Sequence, residues 1–294
     1  MKNTEASERI AQNGFIAALD QSGGSTPKAL EAYGVDHSEW QNDQQMFELV
    51  HEMRTRIMTN SAFDQRVSGA ILFERTMLSD VEGMPTPKYL WERKKIVPFL
   101  KVDDGLASES NHVQLMKEIV NLDERLKRAV ELGIFGTKMR SVVHSTDEQG
   151  IRDIVDQQFA FGNRIIEAGL MPIIEPEVNI HAEDKLRAEQ VLRDQVQRHL
   201  DALPSKQKVM LKLTLPDEPN FYRRLVEHPR VLRVVALSGG YSRKDANEKL
   251  AQNNGVTASF SRALVEDLNA NQSDDEFTAK LNAAIQSIYD ASIT

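Results

Sequence analysis

One lysine stands out because it is the only charged residue in a strongly apolar run. Lys212 lies in the segment VMLKLTL, at 209–215. Removing a lone ammonium from water costs on the order of several kcal/mol, which favours the neutral amine. Only the neutral amine has a lone pair with which to attack a carbonyl carbon. Lys212 is therefore a candidate Schiff-base nucleophile, and a structural ion pair with Glu175 or Glu177 is the alternative.

Two further lysines, Lys138 and Lys101, also follow apolar runs. Each has a polar neighbour, Arg140 for the first and Asp103 for the second, which favours a charged, electrostatic role. The residues alone therefore leave three candidate nucleophiles, with Lys212 preferred.

Carboxylates occur where such a nucleophile would need proton transfer. Glu175 and Glu177 flank a proline at the end of one apolar run, and Asp20 opens the loop DQSGGS at 20–25. Carboxylates near several cations can divide into a proton shuttle and a charge partner. Asp20 is a candidate acid/base on the opposite side from the glutamate pair.

Two loops have the composition of anion sites. Ser238, Gly239 and Gly240 follow the seventh apolar run, and Arg262 follows the eighth. Glycines let backbone N–H groups approach an anion, and an arginine can bind it through two nitrogens. The glycine-containing loop before Ser25, together with Lys101, forms a second candidate site. The pair of sites indicates a substrate with two phosphates.

Eight short apolar runs, separated by stretches of helical periodicity, must position these residues. They lie at 14–20, 68–73, 97–102, 134–140, 171–177, 208–215, 231–239 and 256–261. Most are continuously apolar, which is typical of parallel strands covered by helices. The alternation predicts an α/β fold, a closed (β/α)8 TIM barrel. The alternative, an open doubly wound sheet, lacks its expected G-x-G-x-x-G motif.

The carboxyl ends of barrel strands build the active site. Nine charged residues lie at or just after predicted strand ends: Asp20, Glu74, Lys101, Lys138, Arg140, Glu175, Glu177, Lys212 and Arg262. A single charged residue at such a position could simply be exposed to solvent where the strand ends. Nine on one face predict a charged site at the mouth of the barrel.

Capping residues mark three helices. Residues 145–148 lead into a helix that should end at Gly169, and residues 121–123 into one that should end at Gly133. Ser273 precedes a C-terminal helix with an acidic first turn.

Composition excludes several classes of protein. The 294 residues are 40% hydrophobic and 27% charged, with no Pro/Gly/Ser-rich linker, so we expect residues 1–294 to form one barrel domain with N-terminal and C-terminal helical extensions. A net charge of −8 argues against nucleic-acid or membrane partners. There is no cysteine, and the seven histidines show no ligand spacing, so no metal or cofactor is expected. With no apolar signal segment, we expect a cytoplasmic protein.

These segments together resemble the class I fructose-bisphosphate aldolase family, in particular its shorter bacterial branch. The resemblance runs from about Gly14 to Ala263 and is carried by GFIAALDQSGGS, GAILFE, FLKVDDG, FGTKMR, PIIEPEV, MLKLT, LSGGYS and SFSRAL, in family order. It implies a metal-independent lyase of glycolysis and gluconeogenesis that reversibly cleaves fructose 1,6-bisphosphate. The products would be dihydroxyacetone phosphate and glyceraldehyde 3-phosphate.

The resemblance implies a role for each matching residue. Lys212 matches the Schiff-base lysine, and Glu175 the carboxyl group that shuttles protons during imine formation. Asp20 matches the aspartate that promotes C–C cleavage, and Lys138 the lysine that supports charge balance. The implied substrate-binding residues are Arg140, Glu177, Ser238, Gly239 and Arg262, with Ser25 and Lys101 near the other phosphate. Gly240 joins them as part of its loop.

Some positions depart from the vertebrate form of the family. Gln21 replaces a glutamate, Met139 replaces a tryptophan, and a second basic residue after Lys28 is missing. The long C-terminal arm with its tyrosine is absent, and Tyr289 lies in a predicted helix that should not inherit that role. The group that protonates the enamine is therefore unassigned.

Two alternatives stay open at this point. One is a Schiff-base aldolase acting on tagatose 1,6-bisphosphate or a related ketose. The other is a non-catalytic phosphosugar-binding or scaffold protein. The resemblance also allows a homo-oligomer, since the family includes tetramers.

Overall fold

The computed structural model describes residues 2–294 and contains eight parallel strands arranged in chain order. They are β1 (Phe15–Leu19), β2 (Val67–Leu72), β3 (Val97–Lys101), β4 (Gly136–Val143), β5 (Met171–Val178), β6 (Val209–Thr214), β7 (Val231–Leu237) and β8 (Val256–Ala258). The backbone N–H of Ala18 in β1 donates to the carbonyl of Phe260 at 3.0 Å, which joins the first strand to the end of the last. The predicted (β/α)8 barrel is confirmed.

Helices precede, separate and follow the strands. They are α1 (Asn3–Ala11), α2 (Thr26–Ala32), α3 (Asp43–Thr59), α4 (Glu74–Leu78), α5 (Thr86–Tyr89), α6 (Leu122–Glu131), α7 (Glu148–Glu167), α8 (Lys185–Ala202), α9 (Arg223–Val226), α10 (Arg243–Leu250), α11 (Arg262–Val265) and α12 (Asp274–Ser292). A short strand, Val113–Gln114, pairs antiparallel with the end of β4. Within residues 2–294, none of these helices combines the length and apolar character needed to cross a membrane.

Two of the three predicted helix starts have the expected side-chain caps, whereas Asn121, before α6, makes no side-chain capping bond. The Asp147 carboxylate accepts from the Gly150 N–H at 2.7 Å at the start of α7. Gly169 follows the same helix with a φ of +83°, a conformation that favours glycine. Ser273 and Glu276 form a reciprocal capping box at the start of α12.

A separate apolar cluster fills the inside of the barrel. It comprises Ala6, Ile10, Ile16, Ala18, Ile71, Val97, Phe99, Phe135, Ile173, Met210 and Val235. The first two residues belong to α1, so this helix closes the end of the barrel opposite to the carboxyl ends of the strands. The Phe99 ring lies against β4, where a Cβ on Gly136 would come within 2.9 Å of it. A residue without a side chain is therefore required there.

Because side chains alternate along a strand, the inward-facing positions continue from the barrel interior to the carboxyl ends of the strands. Side chains two residues apart on a strand point to the same side. Ala18, Phe99, Ile173 and Met210 face the interior. The residues two positions further on are Asp20, Lys101, Glu175 and Lys212. The sequence therefore places an apolar layer directly below a layer of charge.

A second group of buried ionisable residues lies outside the barrel, beside the end of β6. Lys185 of α8 places its Nζ 2.8 Å from Glu189 Oε1, 3.0 Å from the Leu215 carbonyl and 3.2 Å from Asp217 Oδ2. Glu189 is fully buried and also adjoins the Tyr222 hydroxyl. Burial raises the pKa of Glu189 to about 7, more than Lys185 lowers it.

This shift predicts that Glu189→Gln stabilises the protein at alkaline pH. Between its ordinary pKa of 4.5 and about 7, Glu189 keeps a proton in the folded state that the unfolded chain releases. Stability therefore falls as pH rises through that window. Glutamine cannot ionise, so urea unfolding should show the variant more stable at pH 8.5, by roughly 2–3 kcal/mol, and little changed at pH 4.5.

The matched control is Glu183→Gln, which removes a charge from an exposed position just before the same helix. It should leave stability nearly unchanged at both pH values. A lower stability of the Glu189 variant at pH 8.5 would instead show that the ionised carboxylate is needed as the partner of Lys185.

Candidate active site

A continuous chain of charges crosses the barrel mouth. Lys212 Nζ lies 3.0 Å from Glu175 Oε1, and Lys138 Nζ lies 3.1 Å from Glu175 Oε2. On its other side, Lys138 Nζ lies 2.6 Å from Asp20 Oδ2. These four residues come from β4, β5, β6 and the loop after β1, and all four are buried. One glutamate thus connects two lysines, and one lysine connects two carboxylates.

The neighbouring charges shift the pKa values of Asp20 and Lys138 so that both side chains are ionised. Burial alone would raise the pKa of Asp20, but the Lys138 and Lys212 amines outweigh it and hold that pKa well below its ordinary value. Burial also opposes the charge on Lys138, yet Asp20 and Glu175 raise the pKa of Lys138 above its ordinary range. Asp20 is therefore an available base at neutral pH, and Lys138 retains its proton.

A second set of ion pairs lies next to these four residues at the mouth of the barrel. Lys101 Nζ lies 2.7 Å from Asp103 Oδ1, and Asp103 Oδ2 accepts from the Arg140 backbone N–H at 3.3 Å. The Arg140 guanidinium pairs with Glu177 Oε2 at 3.0 Å. Both basic side chains are therefore held by carboxylates, which orients them at the wall of the cavity.

Helix α7 fixes the strand that carries the central glutamate. The Gln158 side chain is fully buried and accepts from the Glu175 backbone N–H at 2.8 Å. It donates to Ser141 Oγ of the neighbouring strand at 3.0 Å. Nearby, Thr214 Oγ1 exchanges hydrogen bonds of 2.8 Å with the Val178 backbone. These side-chain bonds hold β4, β5 and β6 together at the mouth.

The charged residues line one cavity of about 720 Å³. Eleven of the twelve predicted site residues contribute to its wall: Asp20, Ser25, Lys101, Lys138, Arg140, Glu175, Glu177, Lys212, Ser238, Gly239 and Arg262. The twelfth, Gly240, lies just behind, where a Cβ would be 3.7 Å from Arg262 Nη2. One cavity of this size accommodates a small, highly polar ligand.

The prediction that Glu74 joins this face is wrong. Strand β2 ends at Leu72, and Glu74 already begins α4. Its carboxylate lies 3.8 Å from Arg125 Nε and 3.8 Å from Arg128 Nη1, both on α6. Ile71 is the interior-facing residue of β2, so Glu74, three positions further on and already in a helix, does not continue the inward face.

The glycine turn after β7 forms one end of the cavity. Gly239 and Gly240 have φ values of +62° and +115°, and a Cβ on Gly239 would come 2.7 Å from Ile180 Cγ2. Only glycine fits this turn without strain. Arg262, at the first position of α11, is exposed and has no acidic partner in residues 2–294. A free guanidinium beside a glycine turn is suited to an anion.

Ser25 and Lys28 lie at the other end of the cavity. Ser25 ends a single 3₁₀ turn, Gly23–Ser25. Its hydroxyl accepts a hydrogen bond from the Ser22 backbone N–H at 3.0 Å and donates one to the Ser22 carbonyl at 2.9 Å. Lys28 on α2 is exposed and has no acidic partner in the part of the chain that the structure describes. The cavity thus has an unpaired cation at each end and the buried charges between them.

The sequence predictions missed several residues at the site, among them Lys28, Asp103, Gln158 and Arg54. Asp103 was treated only as a polar neighbour of Lys101, although strand alternation places both on one face. No sequence pattern marks Gln158 as part of the site, because a polar residue in the middle of a helix is usually exposed to solvent. Arg54 likewise lies within α3 and reaches the site only through the fold.

Comparisons with known proteins agree with this geometry. The family model of class-I fructose-bisphosphate aldolase matches residues 3–222. The fructose-bisphosphate aldolase class 1 of Porphyromonas gingivalis is 54% identical over 293 residues, covering 99% of each chain. The solved fructose-bisphosphate aldolase of Plasmodium falciparum, in complex with TRAP and a small-molecule inhibitor, matches with a TM-score of 0.77 and 21% identity over 98% of this chain and 93% of that one. This last likeness shows the fold.

The fold and the site define a (β/α)8-barrel enzyme with a lysine–carboxylate centre at the carboxyl ends of its strands. The chain belongs to the class-I fructose-bisphosphate aldolase family. It is therefore a lyase of the metal-independent class, and the resemblance inferred from the sequence motifs is confirmed.

The central position of Lys138 predicts a pH-dependent loss of stability in Lys138→Met. At pH 8 this change leaves two buried carboxylates without the cation between them, which should cost about 3–5 kcal/mol in urea unfolding. At pH 5 the loss should be smaller, because burial is then opposed only by Lys212 and Lys101, so that the pKa of Asp20 rises and the folded state takes up a proton more readily.

Lys127→Met serves as the control, since Lys127 is an exposed lysine on α6. It should change stability little at either pH. An equal loss at pH 5 and pH 8 in the Lys138 variant would indicate a packing defect and argue against the electrostatic account.

Proposed function

We propose that this protein catalyses the reversible cleavage of fructose 1,6-bisphosphate to dihydroxyacetone phosphate and glyceraldehyde 3-phosphate through a Schiff base on Lys212. The observation that carries the proposal is the chain from Lys212 through Glu175 and Lys138 to Asp20. It supplies a nucleophile, a proton shuttle, a fixed cation and a base. The family to which the chain belongs acts on this substrate.

Lys212 rather than Lys138 is the proposed nucleophile because of their different partners. Lys138 lies between two carboxylates and retains its proton, so its nitrogen has no free electron pair. Lys212 has a single carboxylate partner, Glu175, among the described residues. An amine with one acceptor can lose its proton to that acceptor and attack.

Imine formation then needs one residue besides the nucleophile. The neutral Lys212 amine attacks the C2 ketone, and the C2 oxygen takes from Glu175 the proton that Glu175 received from the Lys212 ammonium, which makes it the carbinolamine hydroxyl and leaves Glu175 ionised again. Glu175, 3.0 Å from the nitrogen, accepts the proton released by the amine. It returns a proton to the hydroxyl, which leaves as water while the nitrogen lone pair forms the iminium.

Carbon–carbon cleavage uses the opposite end of the chain of charges. The Asp20 carboxylate takes the proton of the C4 hydroxyl, and the C4 oxygen forms the aldehyde as the C3–C4 bond breaks. The bonding electrons pass to the iminium and give an enamine. After protonation at C3, water hydrolyses the imine and frees Lys212. The low pKa of Asp20 keeps it ionised for this step.

The two ends of the cavity suit the two phosphates. We assign one phosphate to the glycine turn Ser238–Gly240 with Arg262, and the other to Ser25 and Lys101. The exposed Lys28 adds charge at the second end. The protein as a whole has a net charge of −8, so these local cations are what attracts an anionic sugar.

The proposal predicts the residue that borohydride traps. Reduction in the presence of dihydroxyacetone phosphate should attach a triose-phosphate mass to the peptide containing Lys212, as measured by mass spectrometry. Lys212→Arg should give no adduct and lower kcat by more than about 1000-fold, because the charge is kept and the nucleophile is lost.

Lys138→Arg is the matched control, since it keeps a cation between the carboxylates and leaves Lys212 in place. Its adduct should remain on Lys212. An adduct on Lys138 in the wild type would overturn the assignment of roles. Cleavage without any adduct would overturn the mechanism, and neither cleavage nor adduct would indicate a phosphosugar-binding protein without turnover.

A further variant separates the two halves of the reaction. Asp20→Asn cannot accept the C4 proton, so cleavage of fructose 1,6-bisphosphate should fall by about 100- to 10,000-fold. Trapping of dihydroxyacetone phosphate on Lys212 should persist, because imine formation depends on Glu175. Loss of trapping together with cleavage would contradict a role confined to the cleavage step.

Two broader proposals accompany the reaction. We propose that the enzyme acts in the cytoplasm, where phosphorylated sugars of this class are metabolised. We also propose that it forms a homo-oligomer, which the measured mass in solution would test.

A further inference from the structure

Among residues 2–294, one fully buried arginine that forms no ion pair lies beside the active site. Arg54 of α3 has 1% of its surface exposed. Its Nη1 donates to Thr76 Oγ1 at 2.7 Å, its Nη2 donates to the Gln21 carbonyl at 2.6 Å, and its Nε has no partner in the described residues. Burial of a guanidinium without a carboxylate is costly, and packing alone would be better served by an apolar side chain.

The guanidinium binds the backbone just beyond the last hydrogen bonds between strands β1 and β2. The parallel pairing of β1 with β2 ends at Leu19 and Leu72. Asp20 follows directly, and its backbone is outside the ladder of strand hydrogen bonds. The carbonyl of the next residue, Gln21, is the one that Arg54 binds. Arg54 therefore anchors the loop immediately after the carboxylate.

The same loop is anchored from a second direction. Gln21 Nε2 donates to Ser261 Oγ at 2.6 Å, and Ser261 precedes the exposed Arg262. The Gln21 side-chain oxygen also lies 3.4 Å from Arg54 Nη2. The peptide after Asp20 is thus held between the buried arginine and the loop after β8.

The charge of Arg54 persists in this site. Burial lowers the pKa of Arg54 to about 10, and the neighbouring Asp20 carboxylate opposes that shift. The guanidinium consequently stays protonated at neutral pH. It remains a charged donor to the Gln21 carbonyl, and such bonds are stronger than those between neutral groups.

We propose that Arg54 is a positioning residue that holds the Asp20 carboxylate in place for the C–C cleavage step. The proposal rests on the proposed function, since it requires Asp20 to be the cleavage base. Arg54 would touch no substrate and would act only through the Gln21 backbone. A displacement of about 1 Å in a reacting group is enough to lower a rate by about 100-fold.

The test starts from Arg54→Met, which fills the same space without a buried charge and so is expected to fold. We expect kcat for cleavage of fructose 1,6-bisphosphate to fall by about 10- to 100-fold, with KM little changed. Trapping of dihydroxyacetone phosphate on Lys212 should stay at the wild-type level, because it does not require Asp20. The matched control is Arg56→Met on the same helix, whose guanidinium binds the Ala270 and Gln272 carbonyls and the Tyr33 hydroxyl but neither Asp20 nor Gln21, and which should leave kcat unchanged.

A double-variant comparison decides whether Arg54 acts through Asp20. In an Asp20→Asn background, Arg54→Met should cause no further loss of kcat, because the base that it positions is already gone. A further 10- to 100-fold loss in that background would overturn the proposal, as would a wild-type kcat in the single variant or a parallel loss of trapping. If the wild type itself neither cleaves the sugar nor forms the adduct, the proposed function fails instead.

Discussion

The ammonium of Lys138 is the interaction on which the rest of the site depends. It lies within 3.1 Å of both Asp20 and Glu175, in a region shielded from water. Two carboxylates facing each other there would repel, and at an effective dielectric of about 20 two like charges about 4 Å apart cost about 4 kcal/mol. One fixed cation removes that cost and lowers the pKa of Asp20. The same contacts hold Lys138 between two carboxylates, whereas Lys212 has one carboxylate partner, Glu175, among residues 2–294.

The barrel supplies this arrangement through alternation and packing. Interior residues such as Phe99 and Ile173 fill the lower layers, and on β3, β5 and β6 the next inward position carries a charge. The apolar layer below excludes water, which strengthens every contact above it. Side chains from the surrounding helices then bind backbone groups at the mouth: Gln158 accepts from the Glu175 N–H, and Arg54 donates to the carbonyl of the residue after Asp20.

The elements were predictable because the strands are largely buried on both faces, so most of the predicted runs are predominantly apolar. All eight predicted runs overlap a strand, in the predicted order. Boundaries were less accurate: the fourth run was placed at 134–140, whereas β4 is Gly136–Val143. The extra residues pair with Val113–Gln114, a distant segment that no local pattern reveals. Glu74 was misplaced for a similar reason, since its partners lie on α6.

The sequence by itself determined the barrel, the order of its strands, the family and eleven of the residues that line the cavity. These features follow from local composition and from motifs in a fixed order, which are properties of the chain alone. Only the tertiary structure decided that Lys138 bridges two carboxylates while Lys212 has one, and that Arg54 anchors the Asp20 loop. Such distinctions depend on distances of a few ångströms between residues far apart in the chain, and those distances exist only once the barrel has closed.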